Sequence, residues 1–243
     1  MPETPRAEGA DTARRALRVL EIVGASSDPV MLDELIRRTG YSKSMVYRLL
    51  RVLQDESYID HAKGGGYLGG SKLFALAASA LPNFDTHTAY LPMLQQIASE
   101  AGETCTLHRR IGDQAMLILG AESTLHPLRR VLTIGELTPV TRGSSGLAIL
   151  VSLADDLVDQ LLANKPVDDV ERVRQEIRQI RQDGFVLSFE ANHPGLHGLA
   201  APLPGTEMSV SVSGPGSRWT KQKMLDFAPR FLATLAERTA AIK

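Results

Sequence analysis

Ser44, Tyr47, Arg48 and Arg51, with Lys43 just before them, share one side of a helical run. Hydroxyls, a phenol and cations on one helix face can reach base edges and phosphate oxygens, so double-stranded DNA is the first partner to weigh. The opposite side carries Val46, Leu49, Leu50 and Leu53 at i, i+3, i+4 and i+7, a stripe able to hold the helix rigidly by its back. Between Arg37 and Arg51 stand five cations and no acid. Residues 1–70 nevertheless hold ten Lys/Arg and ten Asp/Glu, so the basic footprint is local and its phosphate attraction should be modest and salt-sensitive.

The neighbouring elements must present that face. Leu32, Leu35 and Ile36 form a preceding helical stripe, interrupted by Thr39-Gly40-Tyr41-Ser42. Gly40 suits a helix C′ position with positive φ, and Ser42 is placed to cap the next helix. After Glu56, two strand-like runs, Tyr58–His61 and Tyr67-Leu68, flank Ala62-Lys63-Gly64-Gly65-Gly66, a hairpin with Lys63 at its tip within reach of a phosphate. A first helix over 12–24 shows Ala13, Leu17, Leu20 and Val23 on one face. Residues 12–70 thus read as a winged helix-turn-helix, preceded by a disordered polar lead-in over 1–11. A surface helical hairpin in an unrelated helical domain is the plainer alternative.

Residues 71–88 read as a linker helix, too apolar in Leu73-Phe74-Ala75-Leu76-Ala77-Ala78 to stand alone in water and ending at Pro82-Asn83. It packs on another subunit or on the C-terminal core. Residues 89–243 read as one α+β domain, an antiparallel sheet flanked by helices. Its expected helices cover 92–101, 144–152, 155–162, 169–182 and 220–242. Its expected strands cover 104–110, 114–119, a stretch near 130–134, 185–189, 199–202 and 208–213. The bulk numbers agree with a two-domain globular chain: 243 residues, 43% hydrophobic, 23% charged, net charge −1. No run of about 18 apolar residues suggests a membrane span. The N-terminal residues lack the apolar core of a secretory signal. The lone Cys105 cannot form an internal disulfide, which fits a reducing cytoplasm.

Other chemistry-bearing residues form no catalytic or metal-ligating set. His193 and His197 are separated by Pro194 and Gly195, outside helical ligand spacing. Strand alternation puts Cys105 and His108 on opposite faces, which disfavours a nucleophile–base pair. Gly143-Ser144-Ser145-Gly146 lacks nucleophile-elbow spacing. Ser211 and Ser213 alternate with Val210 and Val212 and face one side of their strand.

Over residues 12–243 the chain resembles the IclR-type bacterial transcriptional regulators. The resemblance rests on Ala16-Leu17-Arg18-Val19-Leu20-Glu21, Glu34–Gly40, Ser42–Leu50 and Tyr67-Leu68-Gly69. In the second half it rests on Gly184-Phe185, Pro194-Gly195-Leu196, Ala200-Ala201-Pro202 and Ser211–Pro215. It implies a winged helix and a GAF-like effector domain, acting as a homodimer or dimer of dimers on a palindromic operator, with no cofactor and no enzyme activity. DNA contacts carry over to Ser42, Lys43, Ser44, Tyr47, Arg48 and Arg51. Effector contacts carry over to Ser144, Ser145, Gly146, Ser188, His197, Gly198, Ser211 and Ser213. Exposed N–H groups at a helix start, joined by hydroxyls, suit a small anion. The chain departs from the family at Met31 (a position usually able to cap), at Ser57 (usually Gly), and at Leu147, Ser188, His197 and Gly198 in the pocket. The pocket is therefore expected to be hydroxyl-rich and short of fixed charge.

The expected function is a DNA-binding regulator, a repressor by family habit, controlled by a small organic or aromatic acid; a neutral ligand is the alternative. A constitutive DNA-binding regulator whose second domain only oligomerises is the competing reading. An enzyme with a helical appendage would need the acid/base constellation that is missing.

Overall fold

The computed structural model describes residues 8–26, 28–80, 86–163 and 165–242. The chain divides into two compact units, residues 1–85 and 86–243, each with its own core. The expected stop at Pro82-Asn83 and residues 1–7 of the expected lead-in lie outside the described residues.

The first unit contains α1 (Glu8–Gly24), α2 (Leu32–Thr39), α3 (Lys43–Asp55), β1 (Ile59–His61), β2 (Tyr67–Gly69) and α4 (Ser71–Ala80). Helix α1 starts at Glu8, four residues before the expected Thr12, and buries a different face. Val19, Ile22 and Val23 enter the core, while Leu17 is 58% exposed. The expected stripe and the real one overlap at Leu20 and Val23, and packing on α3 selects the β-branched side. The hairpin pairs Ile59 with Gly69 and His61 with Tyr67. Val30 adds an antiparallel bridge to Tyr67, with hydrogen bonds of 2.9 and 3.0 Å, so the wing is tied to the residue that leads into α2.

Helix α3 ends in a two-bond cap. Tyr58 N–H donates to Leu53 C=O at 2.8 Å and Ser57 N–H to Gln54 C=O at 2.8 Å. The cap forces Ser57 to φ 60, a left-handed conformation in which a Cβ is strained. Ser57→Gly should stabilise this unit by about 1 kcal/mol. Urea denaturation followed by a probe in residues 8–80 checks it, and an unchanged midpoint refutes the strain argument.

The second unit is a six-stranded sheet, wholly antiparallel, in the order β5-β4-β3-β8-β7-β6. The strands are β3 (Thr104–Ile111), β4 (Gln114–Ala121), β5 (Leu137–Pro139), β6 (Val186–Phe189), β7 (Leu196–Pro202) and β8 (Met208–Pro215). Helices α5 (Thr86–Ala101) and α9 (Lys221–Ile242) cover one face, over Cys105, Leu107, Leu199, Val210 and Val212. Helices α6 (Gly143–Val151), α7 (Asp155–Leu162) and α8 (Val167–Asp183) build the other side, around Ile149, Leu150, Val173, Ile177 and Ala200. Helix α5 begins six residues before Pro92, which sits inside it rather than opening it.

The expected strand near 130–134 is absent; the strand lies at Leu137–Pro139. Glu122 captures the earlier stretch, accepting from Leu132 N–H at 2.9 Å and from Arg129 Nε at 2.7 Å. A turn at Gly135 (φ 88) follows, and only then can the chain pair with β4. No described helix is long and apolar enough to cross a membrane.

Candidate DNA-contact face and effector cavity

The turn before α3 is chemically specified. Gly40 adopts φ 71 and its N–H donates to Ile36 C=O at 2.9 Å. The Thr39 hydroxyl donates to Leu35 C=O at 2.6 Å and accepts from Tyr41 N–H at 3.2 Å. Ser42 caps α3, its Oγ accepting from Met45 N–H at 3.4 Å. From α1, the Arg15 guanidinium lies 5.8 Å from the Tyr41 ring centroid and 3.3 Å from Met45 Sδ, clamping the turn.

Val46, Leu49, Leu50 and Leu53 are buried behind α3. Ser42, Lys43, Ser44, Tyr47, Arg48 and Arg51 are all exposed in front. Ser42 and Ser44 share a hydroxyl contact of 3.2 Å, so the capping hydroxyl is partly committed to the helix start. Arg51 lies 3.9 Å from exposed Asp55, a pair too wet to hold it. Lys43 and Arg48 have no carboxylate partner among the described residues. Lys63 is exposed at a wing turn closed by Gly65 N–H on Ala62 C=O at 2.9 Å. Met31 makes no side-chain cap, which matches its departure from the family pattern.

In the second unit, β3 and β8 build a polar ladder on the α6 side of the sheet. Thr104, Thr106 and His108 stand opposite Ser213, Ser211 and Ser209, and all six are buried. Helix α6 starts above this ladder at Gly143 (φ 75), with Arg142 at the cap position making no side-chain cap bond. Ser209 Oγ donates to Ser145 C=O at 2.8 Å, and Ser144 and Ser211 hydroxyls stand 3.5 Å apart. A Cβ at Gly198 would come 2.5 Å from Ser144 Oγ and 3.0 Å from Ser188 Oγ, so only glycine lets both hydroxyls close on β7.

One cavity of about 30 Å³ collects most of the expected effector residues: Ser144, Ser145, Ser188, His197, Gly198, Ser211 and Ser213. Gly146 is not on its wall. A Cβ there would meet Pro139 C=O at 2.6 Å, so this glycine serves close packing of α6 on the end of β5. His197 reaches the wall, but its Nδ1 is held by Trp219 C=O at 3.0 Å. His193 Nε2 lies 3.0 Å from Glu136 but makes no hydrogen bond to it, so the two loop histidines stand against different groups. Ser188 and Ala191 also line an adjoining outer cleft of about 580 Å³.

Sequence reasoning missed His108, Arg130, Thr138 and Asn192 on this wall. Arg130 corrects the expectation of a pocket short of fixed charge, although it is paired with Glu136 at 2.6 Å. His108 was legible, being the next even position after Thr104 and Thr106. The others come from irregular chain or a three-residue strand. Cys105 and His108 do face opposite sides of the sheet, and burial pushes the Cys105 thiol well above its ordinary value.

Burial, and then the nearby charge of Arg130, push the His108 imidazole down to about 3 from an ordinary 6.5. The unfolded chain takes up this proton near pH 6.5, whereas the folded chain resists it until about pH 3. Neutral at pH 7, the group costs nothing through titration there, and its burial becomes progressively destabilising as pH falls below 6.5. Between pH 7 and 5 this group alone should destabilise the fold by about 2 kcal/mol. Urea midpoints at the two pH values check it, and His108→Leu should remove that share of the dependence.

The model for the bacterial transcriptional regulator IclR C-terminal domain matches residues 78–242, and that for the IclR helix-turn-helix domain matches residues 12–62. The transcriptional repressor IclR of Escherichia coli is 25% identical over 241 residues, spanning 93% of this chain and 88% of that one. The crystal structure of an IclR transcriptional regulator from Alicyclobacillus acidocaldarius superposes with a TM-score of 0.79, at 22% identity, over 96% of this chain and 97% of that one. An IclR homologue from Microbacterium hydrocarbonoxydans, crystallised with 4-hydroxybenzoate, gives 0.75 at 16% identity over 95% and 99%. The chain belongs to the IclR family of bacterial transcriptional regulators. It is a DNA-binding regulator with an N-terminal helix-turn-helix domain and a C-terminal effector-binding domain, and its relatives are regulators rather than enzymes.

Proposed function

We propose that this regulator is a cytoplasmic repressor that reads a palindromic operator with Ser42, Lys43, Ser44, Tyr47, Arg48 and Arg51, while Lys63 of the wing touches phosphate. Two-fold DNA calls for at least a homodimer. Helix α4 supplies a candidate surface: Phe74 is 79% exposed and Leu76 51%. A dimer of dimers extends the same logic to longer operators.

The effector is a small organic or aromatic acid whose carboxylate sits where the α6 N-terminus meets Ser144, Ser145, Ser211 and Ser213. The carrying observation is the uncapped start of α6 above a buried hydroxyl ladder: backbone donors with no side-chain acceptor attract an anion. The 4-hydroxybenzoate complex of the Microbacterium homologue favours the same chemical class. Binding to one of two arrangements of the oligomer must alter operator affinity by the same factor that DNA alters effector affinity.

Two measurements test this reading. Selection from random duplexes should return a palindrome with half-sites about one helical turn or a multiple apart. Thermal shifts against a panel of carboxylic acids should raise the melting temperature for at least one, and Ser211→Ala should weaken that response. The competing reading, a constitutive regulator with an oligomerising second domain, draws on the cavity volume of about 30 Å³, room for about one water. A flat response to every acid would favour it.

A further inference from the structure

The cavity has a second end, chemically unlike its serine end. His108 stands on β3 opposite Ser209 of β8 and Leu117 of β4. The register slips beside it: Leu107 faces Leu119 but His108 faces Leu117, so β4 carries Ile118 as an extra residue. His108 stays in the row of Thr104 and Thr106 and points to the cavity side. Ser211 pairs with Thr106, which makes His108 its diagonal neighbour, about 7–8 Å away between Cα atoms.

His108 is 4% exposed, and its Nδ1 has no partner among the described residues. Thr138 Oγ1 on the same wall is likewise buried and unpartnered. Buried polar atoms are almost always paired, and orphans gathered on one wall, His193 Nε2 beside these two, mark a place for a polar group of another molecule. The imidazole is neutral, with one nitrogen donating and the other accepting. Arg130, the cation beside it, already holds Glu136 at 2.6 Å. A second carboxylate would therefore meet no uncommitted positive charge here. A hydroxyl fits, because it can both donate and accept without carrying a charge.

We propose that His108 and Thr138 form a subsite that reads an uncharged hydroxyl at the end of the effector opposite its carboxylate, making the preferred ligand a small hydroxy acid. This rests on the reading above that an acid binds at the α6 start. The two anchors lie about one diagonal strand step apart, so the acid must be compact. It must also widen the cavity, and Asn192, whose amide lies against Gly143 at the α6 start, is the side chain it would displace.

The test uses the full chain and matched pairs of acids: benzoate and 4-hydroxybenzoate, phenylacetate and 4-hydroxyphenylacetate, butyrate and 4-hydroxybutyrate. Calorimetric titration should show the hydroxylated member of at least one pair binding at least about tenfold tighter. His108→Leu should cut that preference to about twofold or less, read as the ratio of affinities within each pair. Thr138→Val, nearly isosteric, should act in the same direction, and His108→Asn should restore part of the preference. Ser211→Ala should weaken both members of a pair alike. Without ligand, His108→Leu should melt no lower than the parent at pH 7, because it removes a buried unpaired group. Equal binding of both members by the parent, as expected if the orphans are met by a trapped water alone, overturns the subsite but leaves the acid site standing. A hydroxyl preference that survives His108→Leu also overturns it. No binding by any acid overturns the acid site and the subsite together.

Discussion

Replacing Arg48 with Ala should weaken operator binding about ten- to hundredfold while leaving the oligomeric state unchanged. The side chain projects from the exposed middle of α3 and pairs with no acid among the described residues, so its removal costs the fold little. On DNA, an arginine in that position can make a bidentate contact to a guanine or a charged contact to phosphate, each lost outright on truncation. Arg51→Ala should cost less, because it stands further from the N-terminal part of α3, where a recognition helix meets base edges, and the loss should fall mainly in the salt dependence. Anisotropy titrations on the selected operator at several salt concentrations separate the two effects, and sedimentation checks assembly. Variants that both bind like the parent would remove α3 from the DNA contact.

The α3 face was readable because both its sides are written within thirteen contiguous residues, between two unambiguous marks, Gly40 and the Ser42 cap. The Val30 bridge to the wing was not, since a single bridged residue has no period. Helix α1 shows the limit of periodicity: two stripes sharing Leu20 and Val23 are equally regular, and only the partner α3 distinguishes them. In β4, burial alternates without a break, yet Leu117 and Leu119 face opposite sides because Ile118 is the extra residue between them. Alternation within one strand conceals that exchange, which is visible only against the register of β3.

The cavity divides in the same way. Its serines are legible, because Ser211 and Ser213 sit on a strand and Ser144 and Ser145 at a helix start. Arg130, Asn192 and His193 arrive on irregular segments, and nothing local in their sequence announces where those segments lie. The chain that carries Arg130 is secured by acids elsewhere, Glu122 for Arg129 and Leu132, Glu136 for Arg130 itself. Such contacts depend on the closed fold rather than on any spacing.

The largest stability effect expected in the second unit belongs to another such contact. Glu103, 3% exposed, accepts from Arg218 Nε at 2.6 Å and from its Nη2 at 2.9 Å, across 115 residues of chain. The carboxylate lies against Gly214, where a Cβ would collide with it. Arg218→Ala would leave that buried carboxylate without its cation, which costs about 3–5 kcal/mol for a fully buried pair. The Arg218 side chain is 22% exposed, so water can partly replace it, and about 3 kcal/mol is the expected loss. For a chain of this size that corresponds to a melting temperature lower by about 6–12 °C. Replacing both partners with methionine should recover most of it, because neither charge is then stranded. Arg218 also donates to Leu128 C=O at 2.5 Å, joining the start of α9 to the segment that carries Arg130. The single variant should therefore lose ligand response as well as stability, whereas the double variant should regain stability without the Leu128 bond and respond only weakly to ligand. A single variant melting within about 1 °C of the parent would show that the ion pair with Arg218 does not hold this unit together.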